Sequence, residues 1–383
     1  MTTLRGSCDP GFDHVRAALQ RRLDDGDEIG ASLVVDLDGH RAVDLRGGFR
    51  DAGRTSPWDE HTITNVWSCT KMVTALAALV LVDRGELDLD APVARYWPEF
   101  AAHGKGGVEV RHLLSHTSGV SGLEPPATLE DFYDVRGAAA RMAAQEPWWT
   151  PGTASGYHVL TYGHLIGELV VRTTGRSLTR FVADEIAEPL GADFRIGVPE
   201  ADRPRVAPIV PPSGSDVADG ADPGPPSVDG PAAKTFAAGA APTDANTPQW
   251  QRAELGAVNG HGNAGSLARI LSVVARGGEV DGIRLLGPRT VERILEPQAD
   301  GTDLVLGIPL RWGIGFGLPQ RRTLPWLPDG RIAFWGGWGG SMVVLDLDRR
   351  MTISYVMNRM SPGIIGSERS AEYVAAVYDA VTS

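Results

Sequence analysis

Between Thr62 and Val82 a single side chain is formally charged, that of Lys71. Val73, Leu76, Ala77 and Val80 recur at helical spacing, and Leu79, Leu81 and Val82 fill the other faces. A helix that is apolar nearly all round belongs inside a globule, so the stretch predicts a buried central helix with a left-handed stop at Gly85. If Ser68 opens this helix, Lys71 sits one turn on, on the same face and within reach of its hydroxyl. Desolvation disfavours an ammonium and lowers its pKa, and a neutral amine beside a hydroxyl is a base beside a nucleophile. Of the 36 lysines and arginines, only Lys71, Lys105 and Lys234 are lysines. Where arginine is the default cation, the one set in the apolar helix is of the type that can lose its proton. Ser-x-x-Lys therefore marks Ser68 as a candidate nucleophile, subject to the company it keeps downstream.

A chain of 383 residues allows a large core and two lobes. Its net charge of -12 and the lack of any Lys/Arg block argue against nucleic-acid binding. Cys8, in an end expected to be flexible, and Cys69, in the buried helix, are expected to be free thiols, which suits a reducing compartment. The first residues lack the apolar core of a signal peptide, and no apolar run reaches membrane-spanning length without Lys, Asp or Pro. The expectation is a cytoplasmic protein with neither membrane nor nucleic-acid partner.

Along the chain, Phe12, Val15, Leu19 and Leu23 predict an amphipathic helix over Asp13 to Leu23. Ala31 to Leu37 and Arg41 to Phe49 read as a hairpin around Asp38-Gly39. His112 and His116 stand four apart, a spacing that can hold zinc, but no third ligand is near and structural roles are expected. Phe132 to Gln145 reads as one helical segment and Leu160 to Arg172 as another, with Tyr157 on the loop before the second. From Pro199 to Pro231 proline, glycine and aspartate replace any periodicity, which predicts a loop or lid. Ala257 to Arg276 resumes helical character. The last fifth is strand-like: Trp312 to Leu318, Arg331 to Trp335, Met342 to Leu347 and Met351 to Met357, before a closing helix over Glu368 to Val381. Strands and helices at both ends with helices between predict an α+β fold: one antiparallel sheet built from both chain ends, flanked by helices, plus a helical lobe. The expected division is 1–90 for the first part of the α/β lobe, 91–304 for the helical lobe and 305–383 for the second part. Ser68 falls where the sheet hands over to the helical lobe, in a cleft. The turn Gly336-Gly337-Trp338-Gly339-Gly340 could bring backbone N–H groups beside it to stabilise an oxyanion.

Several stretches in this order resemble the serine β-lactamase and penicillin-binding-protein superfamily, in its branch of family VIII carboxylesterases. They are Ser68-Cys69-Thr70-Lys71, Gly85 to Val93, Leu113 to Gly119, Trp149-Thr150-Pro151-Gly152 with Tyr157, Pro189-Leu190-Gly191, Asn259-Gly260-His261, and Arg311-Trp312-Gly313 before the glycine-rich turn. The resemblance implies a β-lactamase/transpeptidase-like fold with Ser68 as nucleophile and Lys71 and Tyr157 as general base and acid, which of the two holds the proton being left open. It also implies an oxyanion site from the Ser68 and Trp338 backbone N–H groups, and a pocket lined by Trp148, Trp149 and Trp335 with Gly337 and Gly339. No metal or organic cofactor is implied, and the expected partner is a small-molecule ester. The sequence departs from the lactamase pattern twice. Tyr157-His158-Val159 stands for Tyr-x-Asn, and Trp335-Gly336-Gly337 stands for Lys-Thr-Gly, which removes an orienting amide and a cation. Both departures favour neutral esters over β-lactams. Acyl transfer, or amidase, D-peptidase or β-lactamase chemistry through the same acyl-enzyme, remains an alternative reading; a non-catalytic binding module is another.

Overall fold

The computed structural model describes residues 3–212 and 229–382. Among these residues fifteen strands run in chain order: Leu4–Cys8 (β1), Gly30–Leu37 (β2), His40–Gly48 (β3), Ile63–Asn65 (β4), Arg195–Ile196 (β5), Val206–Ala207 (β6), Gly260–Gly262 (β7), Glu279–Val280 (β8), Ile283–Arg284 (β9), Ala299–Thr302 (β10), Pro309–Trp312 (β11), Gly317–Leu318 (β12), Ile332–Gly336 (β13), Met342–Asp346 (β14) and Met351–Met357 (β15). Nine of them form one sheet in the order β1-β3-β2-β15-β14-β13-β12-β11-β10, antiparallel throughout. The two chain ends meet at β2 and β15, where Ile353 faces Val35 and Tyr355 faces Leu33. Both strands are almost wholly buried, the alternating Thr352 and Ser354 of β15 included, so both faces of the sheet are covered here. The β2–β3 turn sets Asp38 and Gly39 both at positive φ, as a twist-matched two-residue hairpin requires. The fold is thus the mixed α+β arrangement with an antiparallel sheet that the sequence pattern predicts.

The Ala264–Ala275 helix lies on β2, β14 and β15, and the Asp13–Asp25 helix packs on the closing Glu368–Thr382 helix. The central Thr70–Asp83 helix packs against Thr161–Thr174 and Leu178–Val182, every residue from Thr70 to Leu81 being buried. No charged face is needed on a helix surrounded by protein, so from Thr70 to Val82 its sequence carries no charge except Lys71. Among the described residues no helix is long and apolar enough to cross a membrane.

Four local expectations change. The end carrying Cys8 is an ordered edge strand, laddered to β3 from Leu4↔Gly47 to Cys8↔Val43 through backbone pairing that leaves little side-chain pattern. Phe132 to Gln145 is not one helix: it breaks at Asp134, whose carboxylate accepts from Gly137 N–H and caps a new helix over Val135–Ala144. Asn259 to Gly262 is not a mere prelude to a helix, because β7 pairs with β4 and β5 in a second, four-stranded sheet ordered β5-β7-β4-β6. Of the loop expected over 199–231, residues 200–205 form a 3₁₀ turn followed by β6, while 213–228 lie outside the described residues.

One buried ion pair ties the sheet to the end of the chain. Glu28 accepts from Arg369 Nη1 at 2.6 Å, with side chains 0% and 5% exposed, and also from the hydroxyls of Tyr355 and Tyr373. Arg369 spends its remaining donors on Asp27 O, Arg359 O and Ser361 Oγ. Removing one partner from such a pair leaves a buried charge uncompensated. Glu28→Gln is therefore expected to cost about 3–5 kcal/mol in denaturant unfolding; a loss below about 1 kcal/mol, the range of an exposed pair, would contradict the assignment.

Candidate active site

Ser68 owes its position to a sharp turn between β4 and the central helix. Asn65 pairs with His261 across the small sheet, and Val66 N–H donates to Gly260 O at 2.9 Å. Trp67 then adopts a left-handed backbone, φ 49°, rare for a bulky residue. The first turn closes immediately: Cys69 N–H donates to Val66 O, Thr70 N–H to Trp67 O and Lys71 N–H to Ser68 O. Thr70 Oγ1 donates to Trp67 O and accepts from Gly260 N–H, which pins the turn to β7. Ser68 therefore precedes the regular helix rather than lying in it, and Lys71 follows one turn later.

Lys71 is 2% exposed, and its Nζ has three neighbours: Ser68 Oγ at 3.2 Å, Val159 O at 2.9 Å and Ala257 O at 3.0 Å. Among the described residues it has no carboxylate partner. Burial without a counter-ion holds its amine well below the usual lysine range. Ala257 can approach because Gly163 on the neighbouring helix lacks a side chain; a Cβ there would stand 2.4 Å from Ala257 N.

Tyr157 is 1% exposed, with Lys71 Nζ 4.6 Å from its ring centroid and its hydroxyl on the Ser68 side. Trp335 Nε1 donates to the same hydroxyl at 3.0 Å. Burial drives the phenol above its ordinary range, against the hydrogen bond it accepts from Trp335. Trp312 stacks nearly parallel on its ring, 6.0 Å away at 8°, and His116 lies 4.9 Å from it. His158 is held neutral, its pKa pushed down to about 3 by burial. Its Nδ1 faces Gly156 O, a pure acceptor, so Nδ1 carries the proton and Nε2 accepts from Ser118 Oγ. His116 Nδ1 accepts from His158 N–H, and burial holds that ring neutral too. His112 instead accepts from Glu109 N–H at its own helix start, so the two histidines four apart serve different places.

On the sheet side, a Cβ at Gly337 would lie 2.5 Å from Val66 O and 3.2 Å from Trp67 Cβ. This contact brings the Gly336–Gly340 turn against the residues preceding Ser68, with the Trp67 and Trp338 rings 5.1 Å apart. Among the described residues neither Ser68 N–H nor Trp338 N–H has a backbone acceptor, whereas Gly339 N–H is taken by Gly363 O and Gly337 N–H by Ser341 O. Cys69, beside Ser68, is buried with its thiol pushed up to about 12, so it offers no thiolate.

The expected site residues thus divide. Ser68, Lys71, Tyr157 and Trp335 come together, and Trp338 reaches them through Trp67. Trp149 packs on Gly156 and lies 6.2 Å from His158, while its indole donates to Ala154 O. Trp148 donates to Glu124 and carries Lys234 over its ring at 5.3 Å. Gly339 is filled in by Met360. Sequence reasoning passed over His116, Trp312 and the carbonyls of Val159 and Ala257. The sequence expectation for His116 is a structural histidine rather than a zinc ligand, and a backbone carbonyl leaves no signature in residue types.

A model of the Beta-lactamase family matches residues 15–376. Esterase/beta-lactamase LipL of Mycobacterium tuberculosis is 34% identical over 95% of this chain and 85% of its own length. Esterase EstB of Burkholderia gladioli is 34% identical over about half of each chain, 49% and 50%. A crystal structure of a family VIII carboxylesterase superposes with a TM-score of 0.91 at 36% identity, covering 99% of this chain and 100% of its own. A penicillin-binding-protein homologue from Caulobacter crescentus gives 0.88 at 35% identity, over 99% and 100%. With the match running almost from end to end in sequence and in fold, this chain belongs to the beta-lactamase family.

Proposed function

We propose that the protein is a serine carboxylesterase that hydrolyses small, uncharged esters through an acyl-enzyme on Ser68, with Lys71 as the base and Tyr157 as the acid. The observation that carries the reading is the set of neighbours around Lys71 Nζ. Two of the three are carbonyl oxygens, which only accept, and the third is the Ser68 hydroxyl. A neutral amine in that setting spends both N–H groups on Val159 O and Ala257 O and turns its lone pair to Ser68. On the other side, the Trp335 indole is donor-only, so Tyr157 accepts from it and is free to donate its own proton toward Ser68. The polarity therefore runs from Trp335 through Tyr157 and Ser68 to Lys71.

In this scheme Ser68 Oγ attacks the ester carbonyl as its proton passes to Lys71, and the carbonyl oxygen becomes an oxyanion facing the Ser68 and Trp338 N–H groups. Collapse breaks the bond to the alcohol oxygen, which takes the Tyr157 proton; the proton held on Lys71 then restores the phenol. Water attacks the acyl-enzyme by the reverse sequence, giving the acid and free Ser68. The names of the curated relatives and of the family VIII neighbour support esters as substrates. The replacement of a cation by Trp335 beside Tyr157 supports neutral ones. Trp148, Trp149, Trp335, Gly337 and Gly339 remain the proposed pocket wall, and cytoplasm the proposed location.

Three outcomes follow from the scheme. Ser68→Ala is expected to abolish hydrolysis of a chromogenic acetate or butyrate ester, and with it fluorophosphonate labelling, while the circular dichroism spectrum stays unchanged; undiminished turnover would end the proposal. The pH profile of kcat/KM is expected to rise through a single ionisation well below the ordinary lysine value of 10.5 and then to stay flat up to the ordinary phenol value of 10.0. The acid limb arises because a protonated Lys71 cannot accept from Ser68. A profile that climbs only as a phenol ionises would make Tyr157 the base instead. Gly337→Ala is expected to push the Trp338 turn off Val66 and to lower kcat by about 10²–10³, the range for losing one oxyanion donor; a wild-type kcat would dissociate Trp338 from the oxyanion.

A further inference from the structure

We propose that Asp303 is the positioning residue for Tyr157: its buried carboxylate grips the Tyr157 backbone and holds the phenol where it can protonate the departing alcohol. The inference rests on the reading of Tyr157 as the acid. Asp303 is 0% exposed and follows β10 at the end of the sheet, far in sequence from the residues it touches. Its Oδ1 accepts from Tyr157 N–H at 2.9 Å and from Val305 and Leu306 N–H, each at 3.0 Å. Leu304 N–H donates to Ser155 O at 2.8 Å, so two hydrogen bonds rivet the 303–306 turn to the loop that carries Tyr157. That loop has no regular secondary structure of its own between Trp149 and the Thr161–Thr174 helix. Without Asp303 the Tyr157 main chain would have one fewer tie to the sheet, whereas Ser68 is fixed by the pinned turn before the central helix and Lys71 by the helix itself.

The acceptor geometry carries the role, and the charge adds little to it. Among the described residues no lysine or arginine pairs with Asp303, and its Oδ2 is buried without a hydrogen-bond partner. Three backbone N–H groups on one oxygen account for the tolerance of a buried carboxylate. The groups that face the Tyr157 ring from the other elements are Lys71, His116, Trp312 and Trp335. An acidic neighbour at the backbone of this tyrosine opposes loss of the phenolic proton, in the same direction as burial. Both keep the phenol protonated until an alkoxide, a far stronger base, develops beside it.

The test compares leaving groups. An alkyl ester needs its alcohol protonated as the bond breaks; a p-nitrophenyl ester, whose phenolate leaves unaided, does not. Asp303→Ala is expected to lower kcat on an ethyl ester by about 100-fold, with KM little changed, and on the p-nitrophenyl ester of the same acid by less than about tenfold. Asp303→Asn, which keeps an oxygen acceptor for all three N–H groups, is expected to recover most of the ethyl-ester rate. Equal losses on both esters, or an asparagine variant as poor as the alanine one, would overturn the proposal. If Asp303→Ala fails to fold, Asp303→Ser takes its place with the same expected asymmetry. Tyr157→Phe is measured alongside. If it too loses both esters equally, the acid role of Tyr157 fails; if it shows the asymmetry and the Asp303 variants do not, only the Asp303 assignment fails.

Discussion

The chemistry proposed for this protein depends on one nitrogen being kept out of water with two carbonyl oxygens for company. Val159 O and Ala257 O both point at Lys71 Nζ, and neither belongs to the helix that carries it. One comes from the loop entering the Thr161–Thr174 helix and the other from the segment before β7, so the amine reads the packing of three separate parts of the chain. Gly163 sets how near the last of these can come. Burial without a carboxylate is what depresses the amine, and the carbonyls are what orient it. An arginine in the same place would keep its charge, and a lysine with a counter-ion would keep its proton.

The opposite wall of the site is built from the sheet and depends on contacts of a different kind. Gly337 rests on Val66 and Trp67, the residues whose turn exposes Ser68. Beyond it, Ser361 N–H donates to Gly339 O and Gly363 O accepts from Gly339 N–H, so the segment after β15 braces the turn from behind. Arg369 holds that segment through Ser361 and Arg359 O and is itself paired with Glu28, two residues before β2. The buried ion pair thus connects both chain ends to the backbone beside the nucleophile. Its value lies in fixing one geometry rather than in net stabilisation, since a buried pair pays a large desolvation cost.

Much of this was legible in the residues. The apolar stretch around Lys71 announces a buried helix because nothing else tolerates so little charge over that length, and the paired β-branched runs at the two ends announce strands of a shared sheet. The order of short stretches from Ser68 to Trp338 carries the family. What could not be read depends on backbone rather than on side-chain type. β1 is held by ladder bonds along an edge, β7 by a three-residue pairing through glycines, and the break at Asp134 by a cap that resembles any other exposed aspartate. At the site, the carbonyl partners of Lys71 and the Asp303 grip on Tyr157 join residues more than eighty positions apart. Trp335, expected as pocket lining, is the hydrogen-bond partner of Tyr157, since an indole offers no hint of which end will be used.

The protonation state of Lys71 in the folded protein tests the account most directly. With only three lysines in the chain, carbon labelling at the ε position gives three signals, which single substitutions of Lys105 and Lys234 assign. Followed by nuclear magnetic resonance through a pH titration, Lys71 is expected to change state well below the ordinary lysine value of 10.5. A midpoint at or above that value would mean a permanent ammonium facing Ser68, and the proposed base would not exist.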